Sequence, residues 1–173
     1  MTAFDERDQQ YIDTLEQVIK DLRVSSWALQ WFEQPTEYPD LFNHYYLPFL
    51  IQHPEVRNAP VSNETFFLPS REQFETMRQA WFQFPASDVR RYGLARNRCT
   101  DFAWNFRAFC QTFFGINSIA FIYDSGTALH SYNGVVIADM LDVGIQWFEP
   151  EGGTWVRLSD SGLYQLKRGE IIL

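Results

Sequence analysis

Apolar positions near the start of the chain follow helical spacing. Between residues 5 and 23 they recur every three or four positions, at Tyr11, Leu15, Val18, Ile19 and Leu22. Aspartate and glutamate crowd the beginning of this segment, whereas Lys20 and Arg23 lie at its end, which suits the helix dipole. The pattern predicts an amphipathic helix that packs one face on the core, with a partner-binding helix as the alternative.

This periodicity disappears between Trp27 and Ser70, where six of the eight prolines fall. Proline removes a backbone donor and interrupts helices, so loops and short turns are expected here. The segment is also rich in aromatic residues that could hold such loops in place, namely Trp31, Phe32, Tyr38, Phe42, Tyr45, Tyr46 and Phe49. Two interpretations stay open: an irregular segment wrapped over the core, and the wall of a groove.

Helical spacing returns twice in the middle of the chain. Ser70 stands three residues before Gln73, in the register of a capping box, and predicts a helix over 70–82 with Phe74, Met77 and Trp81 facing inward. A second helix is predicted from Cys99 to Phe114, ended by Gly115. Its broad apolar face is bulky enough to require burial and comprises Phe102, Ala103, Phe106, Phe109, Cys110 and Phe113.

The last third of the chain is typical of strands separated by turns. We predict strands at 117–123, 130–138, 145–149, 155–158 and 164–173, with turns at 124–127 and 139–144. The predicted order is helices first, then one helix followed by an antiparallel meander of strands. This order is typical of an α+β domain. At 173 residues, of which 46% are hydrophobic, the chain is expected to form a single domain, residues 1–173.

Charge and hydropathy exclude several classes of protein. A net charge of -8 argues against a nucleic-acid partner, because binding a phosphate backbone normally requires a basic face. No apolar run approaches the ~20 residues of a membrane helix. The acidic N-terminus also lacks a signal-peptide pattern. We therefore expect a soluble, cytoplasmic protein with neither a nucleic-acid nor a membrane partner.

The histidines and cysteines predict neither a metal site nor a disulfide. His44 and His53 have no companion at metal-ligand spacing, so no metal or other cofactor is expected. Cys99 and Cys110 lie eleven residues apart on one predicted helix. That separation of about 16 Å along the helix axis excludes a bond between the two sulfurs. Two free thiols suit a reducing compartment.

Cys99 is the candidate nucleophile. In the first turn of a helix, free backbone N–H groups and the dipole stabilise a thiolate, and Arg96 and Arg98 add positive charge nearby. His130, at the start of a predicted strand, would act as the general base. Glu149, at the end of the next strand, would hold the other imidazole nitrogen, because a strand's start lies beside its antiparallel neighbour's end.

Each of these residues also has an ordinary structural explanation. A cysteine at a helix start is often a small buried apolar residue, and a lone histidine often serves as a structural hydrogen-bonding group. Cys110, deeper on the same helix among phenylalanines, is better explained as core. Glu149 competes with Asp139, Asp142 and Glu151 for the role of orienting carboxylate.

Three stretches carry the candidate residues in the order helix, histidine strand and carboxylate strand. They are Arg98 to Ala103 with Phe106, Phe109, Gly115-Ile116 and the strand Ile119 to Tyr123; His130-Ser131-Tyr132; and Trp147-Phe148-Glu149-Pro150. Together they resemble the transglutaminase-like superfamily of cysteine enzymes over about residues 96–158. The resemblance implies a papain-like fold, with a transglutaminase-like core over 96–173 behind a helical, loop-rich part at 1–95.

The resemblance implies a catalytic triad in which Cys99 is the nucleophile, His130 the base and Glu149 the orienting carboxylate, acting through a thioester. Two positions depart from the family pattern: Asn97 replaces the glycine usually found just before the cysteine, and Glu149 stands where aspartate is usual. An oxyanion hole would use the backbone N–H of Cys99 and a second donor from Asn97 or Tyr92.

The expected function is that of a thiol-dependent amide hydrolase or acyl transferase acting on peptide or protein amides, with hydrolysis favoured over transfer. The acidic surface favours cationic peptides or amines as substrates. One rival is a non-catalytic binding protein that keeps this fold and contacts its partner through the aromatic segment from Trp27 to Phe67. Another is a subunit of a larger assembly, associated through the first helix or the last strand. The oligomeric state stays open.

Overall fold

The computed structural model describes residues 35–58, 65–83, 99–125, 129–159, 163, 164, 166 and 168–173. Its elements are, in order, β1 (Thr36–Tyr38), a π-helical turn (Phe42–Tyr46), α1 (Leu47–Gln52), β2 (Val56–Asn58), β3 (Phe66–Leu68), α2 (Arg71–Gln83), α3 (Cys99–Phe114), β4 (Ala120–Asp124), β5 (His130–Val135), two 3₁₀ turns (Ala138–Val143), β6 (Gln146–Glu149), β7 (Thr154–Val156) and β8 (Gly169–Ile172). The fold is α+β, as predicted. The helix expected over 5–23 lies outside the described residues.

Six strands form the main sheet, in the order β2-β8-β4-β5-β6-β7, while β1 and β3 pair as a separate antiparallel ribbon. Neighbours in the main sheet are antiparallel except β2 and β8, which run parallel with Arg57 opposite Glu170. The predicted antiparallel sheet is therefore wrong at the β2–β8 pair, which is parallel. The predicted meander is also wrong for β8, which pairs with β4 rather than with β7. Four of the five residues of β4 are buried, and such a strand needs a partner on each side.

The proline-rich segment contains more regular structure than its pattern predicts. Its described part holds β1, the π-helical turn, α1, β2 and β3, so the prediction of loops and short turns alone is wrong. Pro48 is the second residue of α1, and the helical backbone runs without a break from the π-helical turn into α1, where the Leu47 N–H donates to the Phe42 carbonyl. Leu41, Tyr46 and Leu68 are fully buried, and this part of the segment therefore supplies core.

The two predicted middle helices are confirmed as α2 and α3. The capping box is present, since the Gln73 N–H donates to Ser70 Oγ at 3.2 Å and the Ser70 N–H donates to Gln73 Oε1 at 2.8 Å. Phe74, Met77 and Trp81 of α2 are buried. Gly115 follows α3 with a φ of 69°, the left-handed conformation that ends helices.

The strands are shorter than predicted. β4 begins at Ala120 rather than at residue 117, and β5 ends at Val135 rather than at residue 138. Val136 and Ile137 are nevertheless buried. Their apolar side chains belong to the core, although these two residues are not part of the strand. The predicted turn at 139–144 forms 3₁₀ structure over Ala138–Val143. β6 and β7 are each one residue shorter than predicted, and β8 occupies only 169–172 of the predicted strand.

The sheet is covered on both faces. One apolar cluster joins α2 and α3 to the sheet through residues such as Trp81, Phe106 and Phe148. The other cluster joins residues of the proline-rich segment, such as Tyr46, to Tyr132 of β5 and Ile171 of β8. Neighbouring residues of one strand contribute to opposite clusters, as expected for the alternation of a strand buried on both sides.

Two buried tyrosines predict a loss of stability in alkaline solution. Tyr46 and Tyr132 are fully buried, their hydroxyls have no hydrogen-bond partner among the described residues, and burial raises the pKa of both. The unfolded chain loses these protons near pH 10, the ordinary value, while the folded chain keeps them. The free energy of unfolding should therefore fall above pH 10, by about 1.4 kcal/mol per pH unit for each tyrosine.

Urea unfolding at pH 8, 10 and 11 measures this effect. Tyr46→Phe should leave the free energy of unfolding at pH 8 nearly unchanged, because the Tyr46 hydroxyl has no hydrogen-bond partner among the described residues. Above pH 10 the variant should lose stability with pH less steeply, by the share that one tyrosine proton contributes. An unchanged slope in Tyr46→Phe would show that Tyr46 ionises equally in both states.

Candidate active site

Cys99 is the first residue of α3, and the start of this helix is fixed against β5. Thr100 Oγ1 and Ser131 Oγ lie 3.0 Å apart, within hydrogen-bond distance. Further along the helix, Asn133 Nδ2 donates to the carbonyl of Ala103 at 3.0 Å and to that of Ala120 at 3.1 Å. These bonds tie one turn of α3 to both β4 and β5, and so set where the Cys99 thiol lies.

The thiol lies against the backbone on both sides of His130. The Ser131 N–H donates to Cys99 Sγ at 3.3 Å, and the thiol donates to the carbonyl of Leu129 at 3.9 Å. Cys99 is only half-buried and carries a free thiol. Among the described residues, no hydrogen bond joins Sγ directly to the imidazole, whose nearest polar partner is a carboxylate.

That carboxylate belongs to Glu149. Asn133 faces Phe148 across the β5–β6 pair, so Glu149 faces Tyr132 and lies diagonally from His130 on the same face of the sheet. His130 Nε2 and Glu149 Oε2 lie 2.6 Å apart, within hydrogen-bond distance, and both residues are buried, with 7% and 6% of their surfaces exposed. His130 at the start of β5 therefore meets Glu149 at the end of β6, as predicted.

This bond decides which imidazole nitrogen is available for chemistry. An ionised carboxylate only accepts hydrogen bonds, so its partner Nε2 carries the proton in the neutral ring. Nδ1 is then the nitrogen with a free lone pair. It also lies closer to the backbone, on which Cys99 Sγ rests at Leu129 and Ser131.

Leu129, just before His130, adopts an unusual backbone conformation. Its φ of 48° lies in the left-handed region, which a leucine rarely occupies, and its side chain is exposed. The same residue provides the carbonyl that accepts the Cys99 thiol proton. Local backbone strain of this kind is often found beside functional groups, where the surrounding structure maintains it.

The competing carboxylates lie elsewhere. Asp139 accepts the Arg71 N–H at 2.8 Å, and therefore lies at the beginning of α2. Glu151 contributes its backbone N–H to Glu149 Oε1 at 3.1 Å, and Asp142 is exposed on the 3₁₀ segment. Of the four candidates, Glu149 forms the 2.6 Å bond to His130.

The remaining predicted residues divide into two groups. Asn97 and Tyr92, the proposed oxyanion donors, lie outside the described residues. Cys110 is fully buried, and burial raises the pKa of its thiol well above the ordinary value, which confirms its assignment to the core.

One residue at the site was not predicted. The Tyr164 hydroxyl donates to Glu149 Oε2 at 3.0 Å, and its ring meets His130 edge to face with 5.3 Å between centroids. Burial, followed by the charge of Glu149, raises the pKa of Tyr164, so the hydroxyl stays protonated. The sequence offers no signal for this contact, because the segment between Glu149 and Tyr164 has no motif that fixes its path.

The other two histidines take part in ordinary local contacts. The Tyr38 hydroxyl and His44 Nδ1 lie 3.1 Å apart, and His53 stacks on Phe49 with 4.3 Å between ring centroids. Across the part of the chain that the structure describes, no group of three or more histidine, cysteine, aspartate or glutamate side chains is placed to hold a metal ion. Over the same residues, none of the helices has the length and apolar composition to cross a membrane.

No protein-family model, curated protein or solved structure matches this chain. Any function is therefore inferred from the residues at this site and their geometry.

Proposed function

We propose that the protein is a thiol-dependent amide hydrolase or acyl transferase with a transglutaminase-like, papain-like core. Cys99 is the nucleophile, His130 the base and Glu149 the carboxylate that orients the base. The observation that supports this most directly is the buried 2.6 Å bond between His130 and Glu149, with the Cys99 thiol on the backbone flanking His130. It combines the nucleophile, base and orienting group that thiol catalysis needs.

The reaction begins with proton transfer from Cys99 Sγ to His130 Nδ1, for which the thiol leaves the Leu129 carbonyl and meets the imidazole. The thiolate attacks the carbonyl carbon of the amide, and the electron pair of the C=O bond moves to oxygen. Collapse of this intermediate breaks the C–N bond, and the leaving amine takes the proton from His130. Water or a second amine then attacks the thioester, His130 accepts its proton, and the thiol is released with the proton returned.

Hydrogen-bond donors and the helix start at the site stabilise negative charge. The Ser131 N–H, already 3.3 Å from Sγ, and the beginning of α3 both favour the thiolate. The backbone N–H of Cys99 lies in the first turn of α3, where it has no intrahelical acceptor, and serves as one arm of the oxyanion hole. Asn97 or Tyr92 supplies the second arm in this proposal.

The surroundings suit a particular class of substrate and compartment. With a net charge of -8, the protein attracts cationic peptides and amines more than anionic ones. A free, half-buried thiol nucleophile is best preserved in a reducing compartment such as the cytoplasm. We favour hydrolysis over transfer, as in the small stand-alone domains of the superfamily that this chain resembles.

A second candidate function is non-catalytic binding through the described part of the aromatic segment. Ile51 on α1 is 72% exposed and Leu47 is 38% exposed, close in sequence to Phe49, which packs on Trp147 with 5.2 Å between centroids. Exposed aliphatic residues beside an aromatic cluster are typical of a protein contact. On this alternative the site around Cys99 is a structural remnant.

The reactivity of the Cys99 thiol separates these two functions without knowledge of the substrate. The native protein is treated with iodoacetamide from pH 4 to pH 9, and peptide mass mapping locates the modified residue. The enzyme proposal expects rapid, selective alkylation of Cys99 at pH values below those at which a free thiol reacts, near ~8.5. Cys110, fully buried, is the internal control and should remain unmodified.

His130→Ala is the matched variant for this experiment. Without the imidazole, alkylation of Cys99 should slow at neutral pH and take the pH dependence of an ordinary thiol. Equal rates in the wild type and His130→Ala would contradict the enzyme proposal and favour binding.

A further inference from the structure

Tyr164 contacts the proposed triad at its carboxylate. Its hydroxyl donates to Glu149 Oε2 at 3.0 Å, and this is the same oxygen that accepts His130 Nε2–H at 2.6 Å. Its ring meets the imidazole edge to face, with 5.3 Å between centroids and 69° between planes. Tyr164 therefore touches both the base and the group that orients it.

Glu149 needs such a contact because glutamate is longer than aspartate. The additional methylene adds a rotatable bond, so the carboxylate can leave the imidazole unless other groups hold it. Glu149 Oε1 accepts the Glu151 N–H at 3.1 Å, and Oε2 accepts the Tyr164 hydroxyl. With donors on both oxygens, the carboxylate cannot rotate away from His130 without breaking a charge-assisted hydrogen bond.

Tyr164 is itself held in place. The Ser159 N–H donates to the Tyr164 carbonyl at 2.8 Å, which anchors its backbone. Its ring packs edge to face on Tyr132 of β5, with 5.5 Å between centroids. Both contacts lie within the protein and need no substrate. The Tyr164 hydroxyl is therefore oriented toward Glu149 in the free protein.

We propose that Tyr164 is a positioning residue, which fixes Glu149 so that His130 presents Nδ1 to Cys99. This inference rests on the proposed function of the same site. Tyr164 forms no bond to the substrate in this scheme and exchanges no proton with it. Tyr164 acts on His130 only by holding Glu149. Without the Tyr164 hydroxyl, the Glu151 N–H is the one remaining donor of the two that hold the carboxylate beside His130.

Tyr164→Phe tests the proposal, because it removes the hydroxyl and keeps the ring. The measurement is the rate of Cys99 alkylation by iodoacetamide in the intact protein across pH 4 to 9. We expect a rate about tenfold lower at neutral pH, the usual effect of losing a hydrogen bond to a charged group. The pH dependence should also move toward that of His130→Ala. Tyr46→Phe is the matched control and should behave as the wild type, since its buried hydroxyl has no partner among the described residues.

Alkylation rates with and without Tyr164→Phe in a Glu149→Gln background distinguish a positioning role from a purely structural one. If Tyr164 acts through the carboxylate, Tyr164→Phe should have little further effect there, because residues in one network are not additive. An equal slowing in both backgrounds would overturn the proposal.

Proton NMR gives a readout that does not need a reactive thiol. The His130 Nε2–H resonance, assigned by its loss in His130→Ala, should exchange with water faster in Tyr164→Phe than in the wild type or Tyr46→Phe. Unchanged exchange together with an unchanged pH dependence means that Tyr164 does not hold Glu149. If Cys99 of the wild type is indifferent to His130→Ala, the proposed function fails, and the exchange rate still decides whether Tyr164 fixes the His130–Glu149 pair.

Discussion

Replacing Cys99 with alanine is expected to reduce the hydrolysis of fluorescein-labelled casein by ~10⁴-fold or more. The members of a catalytic triad act as a unit, so removing the nucleophile removes nearly all of the chemical acceleration. The other thiol, Cys110, cannot substitute for it, because it is fully buried within the core on α3. The measurement is the initial rate of fluorescence release, with dansylcadaverine incorporation into casein as the parallel assay for acyl transfer.

Cys110→Ala is the matched control. It should retain casein hydrolysis while lowering the free energy of unfolding by about 1 kcal/mol or more, as expected for removing a buried side-chain atom. Hydrolysis that persists in Cys99→Ala would contradict the assignment of the nucleophile. A wild type that neither cleaves nor modifies casein, with an inert Cys99, would favour the binding alternative.

The second large effect is on stability. Phe106→Ala should lower the free energy of unfolding by about 3–5 kcal/mol, the usual result of truncating a fully buried phenylalanine. Phe106 is fully buried on α3, with ring centroids of Phe148, Trp81 and Phe74 at 5.0, 5.5 and 6.1 Å. Its removal opens a cavity where both helices meet β6. Urea denaturation monitored by tryptophan fluorescence measures the change.

Phe67→Ala provides the comparison, because Phe67 is 36% exposed on β3. A loss below about 1.5 kcal/mol is expected there, since part of the ring is already in water. Equal losses in the two variants would mean that the cluster around Phe106 is not the principal core of the described residues.

The features that the sequence predicts well are local ones. The Ser70–Gln73 capping box and the stop at Gly115 each depend on residues within one helical turn, so their pattern is sufficient. The contact of His130 with Glu149 was also predictable, because it follows from the antiparallel order of two strands that are neighbours in sequence. Local chemistry and short connections carry most of the candidate site.

The features that the sequence predicts poorly depend on distant partners. The apolar residues of β8 indicate a strand, but alternation does not reveal that its neighbours are β4 and β2. Pro48 indicates a break, yet the helical backbone continues through it from the π-helical turn into α1. Tyr164 belongs to the same class, since its contact with Glu149 requires a chain path that no short motif specifies.

The position of β8 between β2 and β4 has a consequence for the speed of folding. β2 can pair with β8 only after a loop of roughly a hundred residues has closed, since Val56 lies beside Gly169. A pairing of this sequence separation slows folding, because the conformational entropy of closing the loop is lost before the contact forms. We expect the helical pair and the β4–β5 hairpin, whose segments are nearer in sequence, to form first and to leave the edge of β4 unpaired until β8 pairs with it. During that interval the chain is most open to self-association, so dilute, cool refolding should give the highest yield of native protein.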